Sequence, residues 1–243
     1  MEAPVPYLSK ICPLIDFHWV LANVCLKDGE YLDFYHRNNK PGSLLVLDNG
    51  VNEEGIPCSV EQIDDIARIL NPKYIVPPDF LGDSERTVES LKEGIDFWGR
   101  DRILPVLQAS SDDEVIWCRN QIVDLGFDRI CIPYDILRTG DTSPEILADL
   151  RSKIINDYLG GHFKWIHLLG LNTLEELQNY CLTPNVSSID TGAPFLNAYK
   201  GKKFGEDRLV RKGVKIDYDI LGWDPKIFNT CVWNIAYLRR FMT

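Results

Sequence analysis

A single (β/α)8 barrel spanning residues 1–243 is the fold that the sequence predicts, and three observations point to it. Short apolar segments without strict alternation recur along the whole chain, as in a parallel sheet covered on both faces. Longer stretches with apolar residues at helical spacing separate them, which is the rhythm of repeated strand and helix units. Seven or eight such units fit in 243 residues, and single α/β barrels commonly occupy that length. An open parallel sheet is the alternative, and it fits the number of units less well.

In chain order, the apolar runs at 17–24 and 44–47 are the first two candidate strands. Ser59 then opens a helix whose apolar positions are Val60, Ile63, Ile66, Ala67 and Leu70, and Gln62 stands where a capping box needs it. The third strand is 74–76, followed by a helix that Ser84 and Thr87 introduce and that Val88, Leu91 and Ile95 face inward. After strand 103–107, Ser111 precedes Val115, Ile116, Ile122 and Leu125, and Gly126 stops the helix. Strand 129–132 leads to Ser143-Pro144, which puts Pro at the first position of the helix 146–158. Strand 165–169 is followed by a helix over 174–180, opened by Thr173, with Glu175 and Glu176 in the turn where the dipole favours acids. The last candidate strands are 186–189 and 214–218. No GxGxxG or P-loop follows any strand, so a nucleotide-cofactor fold has no motif behind it.

Composition narrows the class. The formal charge is -10, 45% of residues are apolar, and no apolar run exceeds about eight residues, which excludes a spanning helix and a disordered chain. Seven widely spaced cysteines, mostly inside apolar stretches and without a CxxC pair, read as buried thiols in a reducing compartment. The start Met-Glu-Ala-Pro-Val-Pro lacks the basic and apolar regions of a signal peptide, so the expected location is the cytoplasm. The acidity reverses locally. Between Lys200 and Lys215 seven basic residues, Lys200, Lys202, Lys203, Arg208, Arg211, Lys212 and Lys215, face only Glu206 and Asp207. Such a segment is either a solvated loop or a strip that contacts phosphates.

In a barrel the C-terminal strand ends face the active site. Those positions hold Asp48, Asp79, Gln108, Pro133-Tyr134, Gly170 and Asp190. One Asp at a strand end is often a helix cap, but three unpaired carboxylates at three strand ends would be expensive to bury idly. Two carboxylates without a metal suit substitution at an anomeric carbon, one attacking or stabilising the carbon and the other moving the proton. A third Asp beside an amide can read donor groups on a heterocycle. His18, His36, His162 and His167 have neither HExxH nor finger spacing, and His162 and His167 flank the beginning of a strand. No metal and no cofactor are therefore expected. Trp19, Trp98, Trp165, Tyr134 and Phe195 are candidate stacking faces, with Tyr134 and Phe195 best placed because they follow strand ends.

These residues, in this order, resemble the tRNA-guanine transglycosylase superfamily over about 20–220. Val-Leu-Ala-Asn-Val-Cys-Leu (20–26) is similar to its Leu-Ala-Asn-Thr-Tyr-His-Leu strand, and Leu-Asp-Asn-Gly (47–50) to its Thr-Asp-Ser-Gly-Gly-Phe-Gln loop. Pro-Val-Leu-Gln (105–108) and Leu-Gly-Phe-Asp (125–128) fall where the family has Ile-Val-Gln-Gly and Met-Gly-Phe-Asp. His-Leu-Leu-Gly-Leu-Asn-Thr-Leu-Glu-Glu-Leu (167–177) resembles Tyr-Leu-Met-Gly-Val-Gly-Thr-Pro-Glu-Asp-Leu, and Asn-Ala-Tyr-Lys-Gly (197–201) resembles Asn-Ala-Arg-Asn-Gly.

The resemblance implies a pentosyltransferase. Asp190 would attack C1′ of a guanine nucleoside, Asp48 would transfer the proton, and a 7-deazaguanine would then displace Asp190. Asp79, Gln108, the backbone at Gly170, and Tyr134 would bind the base. The family's Cys-x-Cys-x-x-Cys…His zinc site is absent from this chain, and in that respect the chain looks most like the compact, zinc-free phage-type enzymes that place 7-deazaguanines in DNA. The implied polymer is DNA before tRNA, held by Lys200, Lys202, Lys203, Arg208, Arg211 and Lys212, and the implied compartment is a host cytoplasm if the chain is phage-encoded. Two other readings use the same residues: an N-glycoside hydrolase, in which water resolves the intermediate, and a catalytically silent nucleic-acid-binding barrel.

Overall fold

Six of the expected strands pair among the residues described by this computed structural model, which are 3–15, 17–39, 44–138, 140–180, 183, 185–206 and 223–241. Strands β1 (His18–Leu21), β2 (Leu45–Asp48) and β3 (Tyr74–Ile75) form one parallel sheet in that order, and β4 (Arg129–Pro133), β5 (Trp165–Leu169) and β6 (Val186–Asp190) form a second. This corrects the closed eight-stranded barrel: the described strands make two three-stranded parallel sheets, with no closed sheet among the described residues.

The segment 103–107, expected as a full strand, pairs only through single bridges, Ile103 to Ile75 on one side and Val106 to Cys131 on the other. Pro105 lies between them and has no N–H to give to a ladder. Leu104 and Leu107 still donate to the carbonyls of Ile75 and Cys131 (2.9 and 3.0 Å), and Cys131 donates to Pro105 (2.8 Å). Both bridges are parallel, so the C-terminal ends of all six strands point the same way. The expected strand 214–218 lies outside the described residues.

Helices fill the connections: α1 (Val5–Ile11), α2 (Ala22–Lys27), α3 (Gly29–Asn38), α4 (Val51–Glu54), α5 (Val60–Leu70), α6 (Ser84–Trp98), α7 (Asp112–Asp124), α8 (Pro144–Lys153), α9 (Glu176–Tyr180), α10 (Ala193–Tyr199) and α11 (Pro225–Arg239). The capping box of α5 forms in full, Ser59 Oγ accepting from the Gln62 N–H (3.3 Å) and Gln62 Oε1 from the Ser59 N–H (2.9 Å). Ser111 and Ser143 cap α7 and α8 as expected. In α6 the cap is Asp83, one residue before the expected Ser84, and its carboxylate accepts from the Arg86 N–H at 3.0 Å. The apolar run 17–24 divides, because β1 ends at Leu21 and the chain turns directly into α2.

Burial explains why the strands do not alternate. One strand face contributes Leu45, Leu47, Ile75, Ile103, Ile130, Ile132, Ile166 and Leu168 to the main core with the helices. The other face builds a second cluster from Trp19, Leu21, Val46, Val76, Leu104, Val106 and Cys131. Both faces are therefore dry, as parallel sheets require. The six described cysteines are all free thiols, five of them buried.

Glu176 is not a solvated dipole partner of its helix. It is buried against Arg151, both side chains being fully inaccessible, with Arg151 Nε donating to Oε1 at 2.6 Å. The guanidinium also donates to the carbonyls of Ile132 (3.4 Å), Leu169 (3.1 Å) and Gly170 (3.2 Å), while Glu176 Oε2 accepts from the Asn172 N–H at 2.7 Å. This pair clamps the ends of β4 and β5 to α8 and α9. Removing one member leaves the other charge buried, so Arg151→Met is expected to cost about 3–5 kcal/mol in denaturant unfolding. Arg151→Met with Glu176→Leu should cost less than the two single changes added together, whereas simple additivity would show that the side chains act separately.

Candidate active site

The shared direction of the strands brings their end residues into one cavity of about 240 Å³, lined among others by Trp19, Asp48, Asp79, Gln108, Tyr134, Gly170 and Asp190. All six residues expected to act or to bind the base are thus brought together. The volume is just below the ~300–1,000 Å³ of pockets for drug-sized ligands and suits a single heterocycle.

Asp48 ends β2. Its Oδ2 accepts from Trp19 Nε1 at 2.6 Å and its Oδ1 from the Gly50 N–H at 2.9 Å. Gly50 makes that turn at φ +76°, and a Cβ there would lie 2.3 Å from Asn23 Oδ1, so only glycine fits. Burial pushes the Asp48 carboxyl up to about 7; the charges of Asp79 and Asp190 push the same way, and the bonds from Gly50 and Trp19 oppose them. A proton on this group is therefore exchangeable near neutral pH.

Asp79 follows β3 and is only 4% exposed. Its Oδ1 accepts from Asn49 Nδ2 (2.6 Å) and its Oδ2 from Gln108 Nε2 (2.5 Å). Burial raises this carboxyl as well, with the charge of Asp135 adding to it and the two amides opposing. Each carboxylate oxygen has a second lone-pair direction, so the group can still accept from a base. Gln108 is held in turn by the Gly82 N–H, which reaches its Oε1 at 3.2 Å.

Asp190 ends β6, with its side chain 22% exposed. The Gly170 N–H is shared between the Asp190 carbonyl oxygen (3.1 Å) and its Oδ1 (3.3 Å), and His167 Nε2 also lies 3.3 Å from Oδ1. Gly170 has φ +68°, and a Cβ on it would come within 2.9 Å of the Tyr134 ring. Tyr134 donates its hydroxyl to Asn52 Oδ1 at 3.3 Å. Beneath the three carboxylates sits Cys131, fully buried, whose thiol is pushed well above its usual range by burial and then by Asp48, Asp190 and Asp79.

Several residues escaped the sequence reading. His167 is in the middle of β5, not at a strand beginning, and stacks flat on Trp19 with ring centroids 4.3 Å apart. Strand parity was the available signal: His167 is two residues from Leu169, which lines the cavity. Asn49 carried no pattern of its own. Among the stacking candidates, Trp19 and Tyr134 line the cavity. Phe195 is buried against Tyr7, Trp98 donates to Asp64, and Trp165 donates to Ser188, so those three serve packing and hydrogen bonding instead.

Lys200, Lys202 and Lys203 do not line the cavity. The helix α10 starts at its edge, next to Gly192, and Lys200 follows its last turn, about 10 Å along the axis. Asn234 of α11 donates to the carbonyls of both Pro194 and Lys202 (3.1 Å each), which ties the lysine segment back to the loop after Asp190. Lys203 Nζ stands 5.4 Å from the Trp233 ring centroid. Arg208, Arg211 and Lys212 lie outside the described residues.

Among the described residues no three His, Cys, Asp or Glu side chains are grouped to hold a metal ion, and no helix is long and apolar enough to cross a membrane. Comparison with known proteins returned no match to any family model or to any curated protein.

Proposed function

We propose that this chain is a glycosyltransferase that exchanges guanine in DNA for a 7-deazaguanine base through a covalent glycosyl intermediate on Asp190. The observation that carries the reading is the meeting of Asp48, Asp79 and Asp190 in one small cavity, each held by different hydrogen-bond donors. Burial first, and then the charges of Asp79 and Asp190, hold Asp48 at about 7, which suits it to carry a proton. The reading needs strand ends that meet in one cavity and does not depend on a closed sheet.

In the first displacement an oxygen of Asp190 bonds to C1′ while the C1′–N9 bond breaks, and its electron pair leaves with guanine. Asp48 gives its proton to the departing base. In the second, Asp48 takes the N9 proton of the 7-deazaguanine, N9 bonds to C1′, and Asp190 leaves as a carboxylate. Two displacements retain the configuration at C1′. Asp79 and Gln108 offer acceptors to the ring N–H and amino donors of either base, beside the Tyr134 ring. A nucleotide inside a duplex would have to be extruded to reach this cavity, so single-stranded DNA is the easier substrate.

The test is release of labelled guanine from DNA and from tRNA, with and without 7-cyano- or 7-aminomethyl-7-deazaguanine. Release from DNA that requires the added base is the expected result. Release without it would show a hydrolase, release from tRNA alone would move the substrate to RNA, and binding without release would leave the silent module. Charge reversal of Lys202 and Lys203 to Glu is expected to weaken DNA binding and flatten the slope of log K against log salt by about 2. An unchanged slope would remove these two residues from the DNA contact.

A further inference from the structure

We infer that Trp165, Ser188 and His167 form a one-way chain of hydrogen-bond donors that holds Oδ1 of Asp190 and leaves its Oδ2 as the attacking oxygen. The role of Oδ2 rests on the transglycosylase reading, while the direction of the chain does not.

The chain starts at the indole of Trp165, which can only donate. Its Nε1 donates to Ser188 Oγ at 2.7 Å. Ser188 Oγ lies 2.8 Å from His167 Nδ1, and that nitrogen is the one acceptor for the serine hydrogen among the described residues. A serine that accepts from Trp165 and donates to His167 Nδ1 leaves the imidazole proton on Nε2. That nitrogen faces Asp190 Oδ1 at 3.3 Å, where the Gly170 N–H arrives at the same distance.

The other arrangements satisfy fewer groups. With the proton on Nδ1, the Nε2 lone pair would face the carboxylate oxygen, and the serine hydrogen would lose its acceptor. An imidazolium would pair with Asp190 but would carry a hydrogen on Nδ1 as well, and so would leave the serine hydrogen in the same position.

Ring orientation is enforced by packing. His167 lies against Trp19 at an interplanar angle of 8°, and Phe17 packs edge-on to it at 5.6 Å. Both donors at Asp190 converge on Oδ1, and Oδ2 accepts no hydrogen bond among the described residues. The oxygen with unengaged lone pairs is the better nucleophile, and two donors on its neighbour set the plane of the carboxylate. His167 is therefore a positioning residue. Trp19 joins the two carboxylate environments, because the indole that donates to Asp48 is the surface on which His167 rests.

The first test is ¹⁵N NMR of the full-length protein labelled at histidine, with the His167 signals identified by their loss in His167→Gln. A neutral ring protonated at Nε2 is expected. Protonation at Nδ1, or at both nitrogens at neutral pH, would overturn the chain. Ser188→Ala removes the donor to Nδ1 and should give a mixture of tautomers. Its kcat for base exchange should fall by about 10- to 100-fold with KM for the base little changed, and Ser188→Thr should restore both tautomer and rate. A Ser188→Ala protein with wild-type tautomer and kcat would refute the proposal. The expected tautomer in a protein that exchanges no base would overturn the transglycosylase reading and the role of Oδ2, with the donor chain standing.

Discussion

Replacing Asp190 with Asn is expected to lower base exchange by on the order of 10³-fold or more, with DNA binding and unfolding behaviour close to those of the parent chain. Asparagine keeps an acceptor at the position of Oδ1, so the contacts from the Gly170 N–H and His167 Nε2 persist. What it removes is the second, anionic oxygen that would bond to C1′. The parent chain, denatured during turnover, should carry labelled DNA through a covalent link, and Asp190→Asn should carry none. A variant that still forms the link would shift the nucleophile to another carboxylate of the cavity, such as Asp48. Exchange that persists at the parent rate without any link would favour direct displacement and would remove Asp190 from the chemistry.

Asp48→Asn should change activity and stability in opposite directions. Loss of the proton carrier is expected to slow exchange by about 10²- to 10⁴-fold. Stability follows from linkage. The carboxyl sits at about 7 in the folded chain against an ordinary 3.8, so between these values the folded state holds a proton that the unfolded state has released. Stability due to this group therefore falls as pH rises from about 4 to 7 and is level above that.

The full difference corresponds to about 4 kcal/mol, and partial solvation of the side chain reduces it to on the order of 2–3 kcal/mol. Asparagine carries no such penalty. The variant should thus match the parent near pH 4 and exceed it in unfolding free energy by that amount at pH 8. Asp79 is also raised and slopes the same way in both proteins, so the diagnostic quantity is the difference between them. Equal pH slopes for parent and variant would mean that Asp48 is an ordinary carboxylate and a poor proton carrier.

How legible the site was depended on where each residue stands along the chain. Asp48, Asp79, Gln108, Tyr134, Gly170 and Asp190 all follow an apolar run, and the end of such a run is a local feature that can be counted. Trp19 and His167 lie inside their runs. There an indole or imidazole looks like any core residue, and only the partner across the cavity gives it a task. Glu176 misled for the same reason: a glutamate in a first helical turn has a sufficient local explanation, and its burial comes from Arg151, which is 25 residues earlier. The helix α2 was hidden because Ala22–Lys27 continues the apolar run of β1, so no change of period marks the turn.

The sequence by itself determined the alternation of strand and helix, the caps at Ser59, Ser111 and Ser143, and the placement of three carboxylates after three strands. These are short-range matters of periodicity, propensity and capping. Tertiary structure alone decided how many strands pair and how the sheet is divided, since pairing needs donors that Pro105 lacks and neighbours that no local window contains. It also decided the chemistry of the carboxylates. A proton affinity is set by desolvation and by charges through space, and Asp48 acquires both only once the strand ends meet and bring Asp79 and Asp190 near it.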